Sequence, residues 1–231
     1  MNGPRLAFFD VDETLITVKS LAGFFVRHRT DSGHPAGETD RILRELWAMV
    51  AAGTPRETLN RAFFRHLAGS PLHRLQESGI RWFAEVRDGG LFHPPAVEAV
   101  RRHQRDGDVP VLISGSCEAC IRPIADHLGI THVLGTELRT TGGPDPQLTG
   151  ETGQPLIGAG KAVAARALLD RLGARAEDAT AYADDATDLP LLHAVGRPVV
   201  VGDDPELRRR AERFGWRRLP GIDRAPAGRP A

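Results

Sequence analysis

The chain has 231 residues, 41% of them hydrophobic, and its thirty basic and thirty acidic side chains cancel. That length and apolar content allow one ordinary globular domain with a modest insert, and the balanced charge excludes an overall field favouring nucleic acid or an anionic membrane. No apolar stretch approaches the about 20 residues of a membrane span, the N-terminus lacks a signal-peptide pattern, and two cysteines are too few for a disulfide scaffold, so a cytoplasmic protein without nucleic-acid or membrane partners is expected.

The first element is an apolar run of strand character, Leu6-Ala-Phe-Phe, that ends in Asp10 and Asp12. In an extended chain this i, i+2 spacing turns both carboxylates to one face. Two anions so close make chemical sense when a hard cation sits between them or one is held protonated, and either condition reads as an active site. The alternative is that they solvate a strand end, with Thr14 as a cap.

From Ser20 to about Arg87 the pattern is helical. One helix is expected over Ser20 to Arg29, and a second over Thr39 to Ala52 on the stripe Ile42, Leu43, Leu46, Trp47 and Val50. A third runs to Gly69 from the capping box Thr54-Pro55-Arg56-Glu57, and a fourth follows Ser70-Pro71. Each presents one apolar face, so together they predict a small helical bundle. Phe24, Phe25, Trp47 and Trp82 are candidates for lining a pocket in it, with an ordinary place in the bundle core as the alternative for each.

From Phe92 strands and helices alternate. Strands are expected at 109–113, 132–134, 180–183 and 198–201, helices at 95–105, 117–128, 161–172, 189–194 and 205–214, and a hairpin or flap at 136–158. Such alternation predicts a doubly wound parallel sheet wrapped by helices, and the Pro/Gly-rich residues 220–231 a disordered tail. Ligands of such sheets bind beyond the carboxyl ends of the strands, where the strand order reverses. The residues there are Asp10 and Asp12, then Ser114-Gly115-Ser116, then Asp184, Asp185 and Asp188.

Ser114-Gly115-Ser116 offers backbone N–H groups, a hydroxyl and a Gly at a helix start, which is an anion cradle, although Ser116 also suits an N-cap. Asp188 suits an N-cap before Pro190, whereas Asp184 has no such role and stands where a further oxygen ligand for Mg²⁺ would belong. Lysine occurs only at Lys19 and Lys161 in a chain that otherwise uses Arg. Lys161 follows Gly158-Ala-Gly160 but does not fit a nucleotide P-loop, because Pro155 stands where the first Gly belongs and Ala162 follows the Lys. Cys117-Glu-Ala-Cys120 admits a second function class, a thiol oxidoreductase.

The ordered set Asp10-Val-Asp12-Glu-Thr14, Ser114, Lys161 and Asp184 with Asp188 resembles the four motifs of the haloacid dehalogenase (HAD) superfamily. The helical insert after the first motif resembles its subfamily IB, the phosphoserine-phosphatase-like branch, over residues 5–219. The resemblance implies a Rossmann-like core at 1–15 and 90–219, a helical-bundle cap of C1 type at 16–89, and a tail at 220–231. It implies Asp10 as nucleophile, Asp12 as acid then base, and Ser114, the Gly115 N–H and Lys161 as phosphate ligands. Mg²⁺ would be bound by the Asp10 carboxylate, the Asp12 main-chain carbonyl and Asp184, with Asp188 supporting. The implied activity is hydrolysis of a small phosphorylated metabolite by a monomer or homodimer; phosphoserine phosphatase itself and a catalytically silent phosphometabolite-binding module are the alternatives.

Two departures bear on the substrate and one on the metal. The Glu that phosphoserine phosphatases carry nine residues after the nucleophile is Lys19 here, and their carboxylate-binding Arg falls near Trp47. Both changes point away from phosphoserine. In the fourth motif Ala183 and Asp185 replace residues that are usually Gly and a small neutral residue, and the Asp185 carboxylate is expected to point outward.

Overall fold

Strand β1 (Leu6–Phe9) is apolar and buried at all four positions, the signature of a strand covered on both faces. In the computed structural model, which describes residues 3–222, it lies in the middle of six parallel strands. The others are β2 (Val109–Ile113), β3 (His132–Leu134), β6 (Thr180–Ala183), β7 (Arg197–Val201) and β8 (Arg217–Leu219), in the order β3-β2-β1-β6-β7-β8. The chain builds outward from β1 through β2 to β3, then returns to place β6 on the other side of β1, with Phe9 registered against both Leu112 and Tyr182. Strand order therefore reverses at β1, and the crevice beyond its carboxyl end is the expected ligand position.

Alternate strand residues face opposite layers. Leu6, Phe8, Val111, Ile113 and Ala181 pack with α7 (Ala159–Leu172), α8 (Leu189–His193) and α9 (Pro205–Phe214). Ala7, Phe9, Leu112 and Tyr182 share a buried cluster with α5 (Pro94–Arg105) and α6 (Glu118–His127), and that cluster continues into four helices inserted after β1. These are α1 (Ser20–Asp31), α2 (Ala36–Ala51), α3 (Arg56–Arg65) and α4 (Leu72–Val86). Phe24, Phe25 and Trp82 belong to the buried cluster, whereas Trp47 is 51% exposed. Helix α4 crosses α6 so closely that a Cβ on Gly79 would lie 1.9 Å from the Ala119 carbonyl oxygen.

The 136–158 connection holds an antiparallel pair, β4 (Leu138–Thr140) and β5 (Leu148–Thr152). The capping box does not form: α3 has Pro55 at its N-cap with no side-chain bond to the helix, and α4 begins the same way at Pro71. Proline's fixed φ and missing N–H make it a helix opener without a cap. Ser70 spends its hydroxyl instead on His28 Nε2, at 3.0 Å. Strand β8, an edge strand reading Arg-Arg-Leu, carries no sequence signal of strand type. From residue 223 on, the tail expected to be disordered lies outside the described residues.

Candidate active site

Beyond the end of β1, Asp10 donates its N–H to the Tyr182 carbonyl at 3.0 Å, which ties it to β6. Its side chain accepts from Lys161 Nζ at 2.6 Å, and the same ammonium reaches Asp188 Oδ2 at 2.7 Å. Lys161 is the third residue of α7 and is buried, like both partners. Burial works against its charge, but Asp10 and Asp188 more than offset this, so Lys161 is held protonated above its usual range. Burial raises the Asp10 carboxyl well above its ordinary value, with Lys161 opposing and Asp188 and Asp184 reinforcing the rise.

Asp12 is fixed differently. Its Oδ1 accepts the Ser20 N–H at 3.0 Å, one of the orphan donors at the start of α1, where the helix dipole favours an anion. Burial still leaves the Asp12 carboxyl raised. Between the two elements the chain turns through Glu13 at φ +62°, a left-handed conformation rare outside glycine. Asp10 and Asp12 both line one cavity of about 150 Å³.

Ser114, Gly115, Lys161, Asp184 and Asp188 line the same cavity, so the residues singled out after each strand converge there. Ser114 Oγ accepts the Ser116 N–H at 3.0 Å. Cys117, not Ser116, is the N-cap residue of α6, and the Ser116 hydroxyl meets the Ser20 hydroxyl at 2.8 Å. Asp188 does occupy the N-cap of α8, but its carboxylate turns to Lys161 instead of capping. Asp184 accepts from Thr14 Oγ1 at 2.8 Å, and burial together with Asp188 and Asp185 pushes it up to about 6.

Asp185 has a partner of its own. Its Oδ1 accepts from the Thr187 N–H and hydroxyl, and its Oδ2 pairs at 2.8 Å with Arg56 at the start of α3. Burial would raise this carboxyl, but the bonds from Thr187 and Arg56 bring it below the usual range. The extra acid of the fourth motif is therefore an anchor for the helical insert. Lys19 stands at the N-cap position of α1 without a side-chain bond to the helix, half exposed, with its ammonium 2.6 Å from Glu13 Oε2.

A second cavity of about 420 Å³ opens from the first and shares Asp12, Lys19, Leu21, Arg56, Asn60 and Ile157 with it. Its remaining wall is apolar, with Leu43, Leu46, Trp47, Val50 and Phe63 from α2 and α3. Cavities of about 530 and 870 Å³ lie elsewhere, but neither gathers the strand-end carboxylates. Asn60 and Arg56 escaped the sequence reading because tertiary placement brings them to partners far along the chain, Asn60 to Gly115 and Arg56 to Asp185 and Thr187; the only signal was an unexplained charge at Asp185.

The donor set suits a hard cation. One buried ammonium faces the carboxylates of Asp10, Asp12, Asp184 and Asp188, an excess of negative charge around one cavity. Among the described residues no group of three His, Cys, Asp or Glu side chains is placed to hold a metal ion. Cys117 and Cys120 are both buried, and burial pushes Cys117 up to about 12, so the pair lacks the exposed thiolate a redox site needs. No helix among the described residues is long and apolar enough to cross a membrane.

Residues 7–193 match the model of the haloacid dehalogenase-like hydrolases. The chain is 36% identical to a histidinol-phosphatase of Neisseria meningitidis, over 92% of this chain and 96% of the relative. It is 31% identical to an inhibition of morphological differentiation protein of Streptomyces azureus, over 99% of this chain and 86% of the relative. A phosphoserine phosphatase captured as a phospho-aspartyl intermediate analogue has the same fold, with a TM-score of 0.63 and 18% identity over 90% of this chain and 91% of that one.

Proposed function

This chain belongs to the haloacid dehalogenase-like hydrolases, and from that premise we propose that it is a phosphatase of their phosphoserine-phosphatase-like branch that hydrolyses a small-molecule phosphomonoester through a phosphorylated Asp10, with Mg²⁺ bound. As a phosphoric monoester hydrolase it needs a nucleophile kept ionised, a proton donor for the leaving oxygen and fixed positive charge for the phosphoryl group. The observation that carries the reading is Lys161, a buried ammonium bridging Asp10 and Asp188 in the cavity that also holds Ser114, Gly115 and Asp12.

In this reading an Asp10 oxygen attacks phosphorus, an O–P bond to Asp10 forming as the ester P–O bond breaks. Asp12, its carboxyl raised by burial, gives its proton to the departing oxygen. The ionised Asp12 then takes a proton from a water whose oxygen attacks phosphorus, and the bond to Asp10 breaks to release phosphate. Ser114, the Gly115 N–H and Lys161 hold the phosphoryl oxygens. Asp10, the Asp12 main-chain carbonyl and Asp184 would hold Mg²⁺, with Asp188 steadying Lys161. When bound, the ion supplies the positive charge that this carboxylate-rich cavity otherwise lacks.

The leaving group occupies the apolar cavity between α1, α2 and α3, where Trp47 and its neighbours favour a flat or branched apolar body. Lys19 stands at the shared mouth with its charge offset by Glu13. Serine's compact zwitterion gains little from such walls, and the Neisseria relative, named for histidinol, makes histidinol phosphate the first candidate. The test is phosphate release with and without Mg²⁺ from p-nitrophenyl phosphate, phosphoserine, histidinol phosphate and sugar phosphates. Metal-dependent release with phosphoserine poor is expected. Phosphoserine far ahead of the rest overturns the substrate reading, and metal-independent release overturns the assignment of Mg²⁺.

A further inference from the structure

Asn60 lies in α3, one turn after Arg56, and is only 8% exposed. It walls both the catalytic cavity and the apolar one. Its Nδ2 donates to the Gly115 carbonyl at 2.9 Å, which lays the amide against the loop assigned to the phosphate. Its Oδ1, by contrast, is buried with no hydrogen-bond partner. A buried acceptor left unpaired costs free energy, and folded proteins keep few of them. Neighbouring donors are engaged elsewhere: Arg56 with Asp185 and Thr187, Lys19 with Glu13, and the Thr136 hydroxyl with Gly115. What enters the cavity can supply the missing donor.

We propose that Asn60 Oδ1 is a specificity contact for the leaving group, accepting a hydrogen bond from an N–H or O–H of the alcohol a few bonds from the ester oxygen. The substrate class is thereby narrowed to phosphate esters of amino-alcohols or diols whose apolar remainder lies along Trp47 and Leu46. This inference rests on the phosphatase reading above and deepens it. A site with a buried acceptor discriminates strongly against the analogue that lacks the donor, because that analogue leaves the acceptor unpaired.

Three esters of nearly equal size separate the possibilities: 2-aminoethyl, 2-hydroxyethyl and n-propyl phosphate, with p-nitrophenyl phosphate as the check on phosphatase activity itself. The wild-type enzyme is expected to favour both donor-bearing esters over the propyl ester in kcat/KM by about tenfold or more. The hydroxyethyl ester distinguishes hydrogen bonding from charge. Asn60→Leu should collapse that ratio toward one. Asn60→Asp, which keeps one acceptor but sets its second oxygen against the Gly115 carbonyl, should slow all three esters while preserving the ratio. A wild-type ratio near one, with p-nitrophenyl phosphate hydrolysed, overturns the role of Asn60 and leaves the phosphatase reading standing; so does an unchanged ratio in Asn60→Leu. No release even from p-nitrophenyl phosphate overturns both.

Discussion

Asp10 and Asp12 are the same residue type two positions apart, and burial raises both carboxyls. Their partners pull them toward different tasks. Asp10 touches a fixed ammonium, which favours its ionised form, while Asp12 is met by the neutral N–H and hydroxyl of Ser20 at a helix start. Divergent surroundings are how two carboxylates divide nucleophile and acid between them. Asp10→Asn is accordingly expected to cut turnover by about three orders of magnitude or more while far-UV circular dichroism stays native, and a variant that still releases phosphate removes Asp10 as nucleophile. Most residues of this cavity that were legible in the sequence stand just past an apolar strand, where a charge or a Gly is conspicuous; Lys161 and Lys19, at helix starts, were legible as the two lysines of an Arg-biased chain. Asn60, Arg56 and the Ser20 N–H were not legible, because they enter from helices whose local pattern records only an apolar stripe.

At the scale of elements, two of the contacts between the helical insert and the sheet core differ in kind. The crossing of α4 over α6 at Gly79 is apolar and backbone-close. Gly79→Ala gains helix propensity worth up to about 1 kcal/mol, but the new methyl overlaps a carbonyl and should cost about 1–3 kcal/mol, so thermal unfolding is expected to move down. The second, Arg56 to Asp185, is a partly exposed ion pair beside an Arg56–Thr187 hydrogen bond. Solvent screening limits it to about 0.2–1 kcal/mol. Arg56→Ala and Asp185→Asn should each raise KM more than they lower kcat, and the double variant should be no worse than either single one. Additive effects in that cycle would mean the two residues act separately. The order of elements was legible because strand and helix periods alternate cleanly. The capping box misled because Pro55 takes the N-cap, and β8 was missed because a three-residue polar edge strand has no periodicity to read.

Over the whole molecule, two buried groups titrate with opposite sign. His28 is held neutral between the hydroxyls of Ser70 and Ser78, and burial brings it down to about 4. Its folded value lies below its ordinary one of 6.5, so the stability it contributes is full above pH 6.5 and is lost as pH falls toward 4. Asp184 lies on the other side: its folded value of about 6 exceeds the ordinary 3.8, so the folded state gains from its protonation as pH falls through 6. In metal-free protein the two contributions overlap and oppose each other. In the proposed reading, Mg²⁺ on Asp184 would hold that carboxylate ionised, remove the offset and leave the loss at His28 exposed, while the ion's own apparent affinity would drop about tenfold per pH unit once a proton competes. The melting temperature should therefore fall more steeply between pH 7 and 4.5 with Mg²⁺ than without it, and His28→Gln should flatten the Mg²⁺ curve by an amount on the order of 1–3 kcal/mol. Parallel curves with and without the ion would separate Asp184 from the metal, and a slope untouched by His28→Gln would place the acid sensitivity elsewhere in the fold.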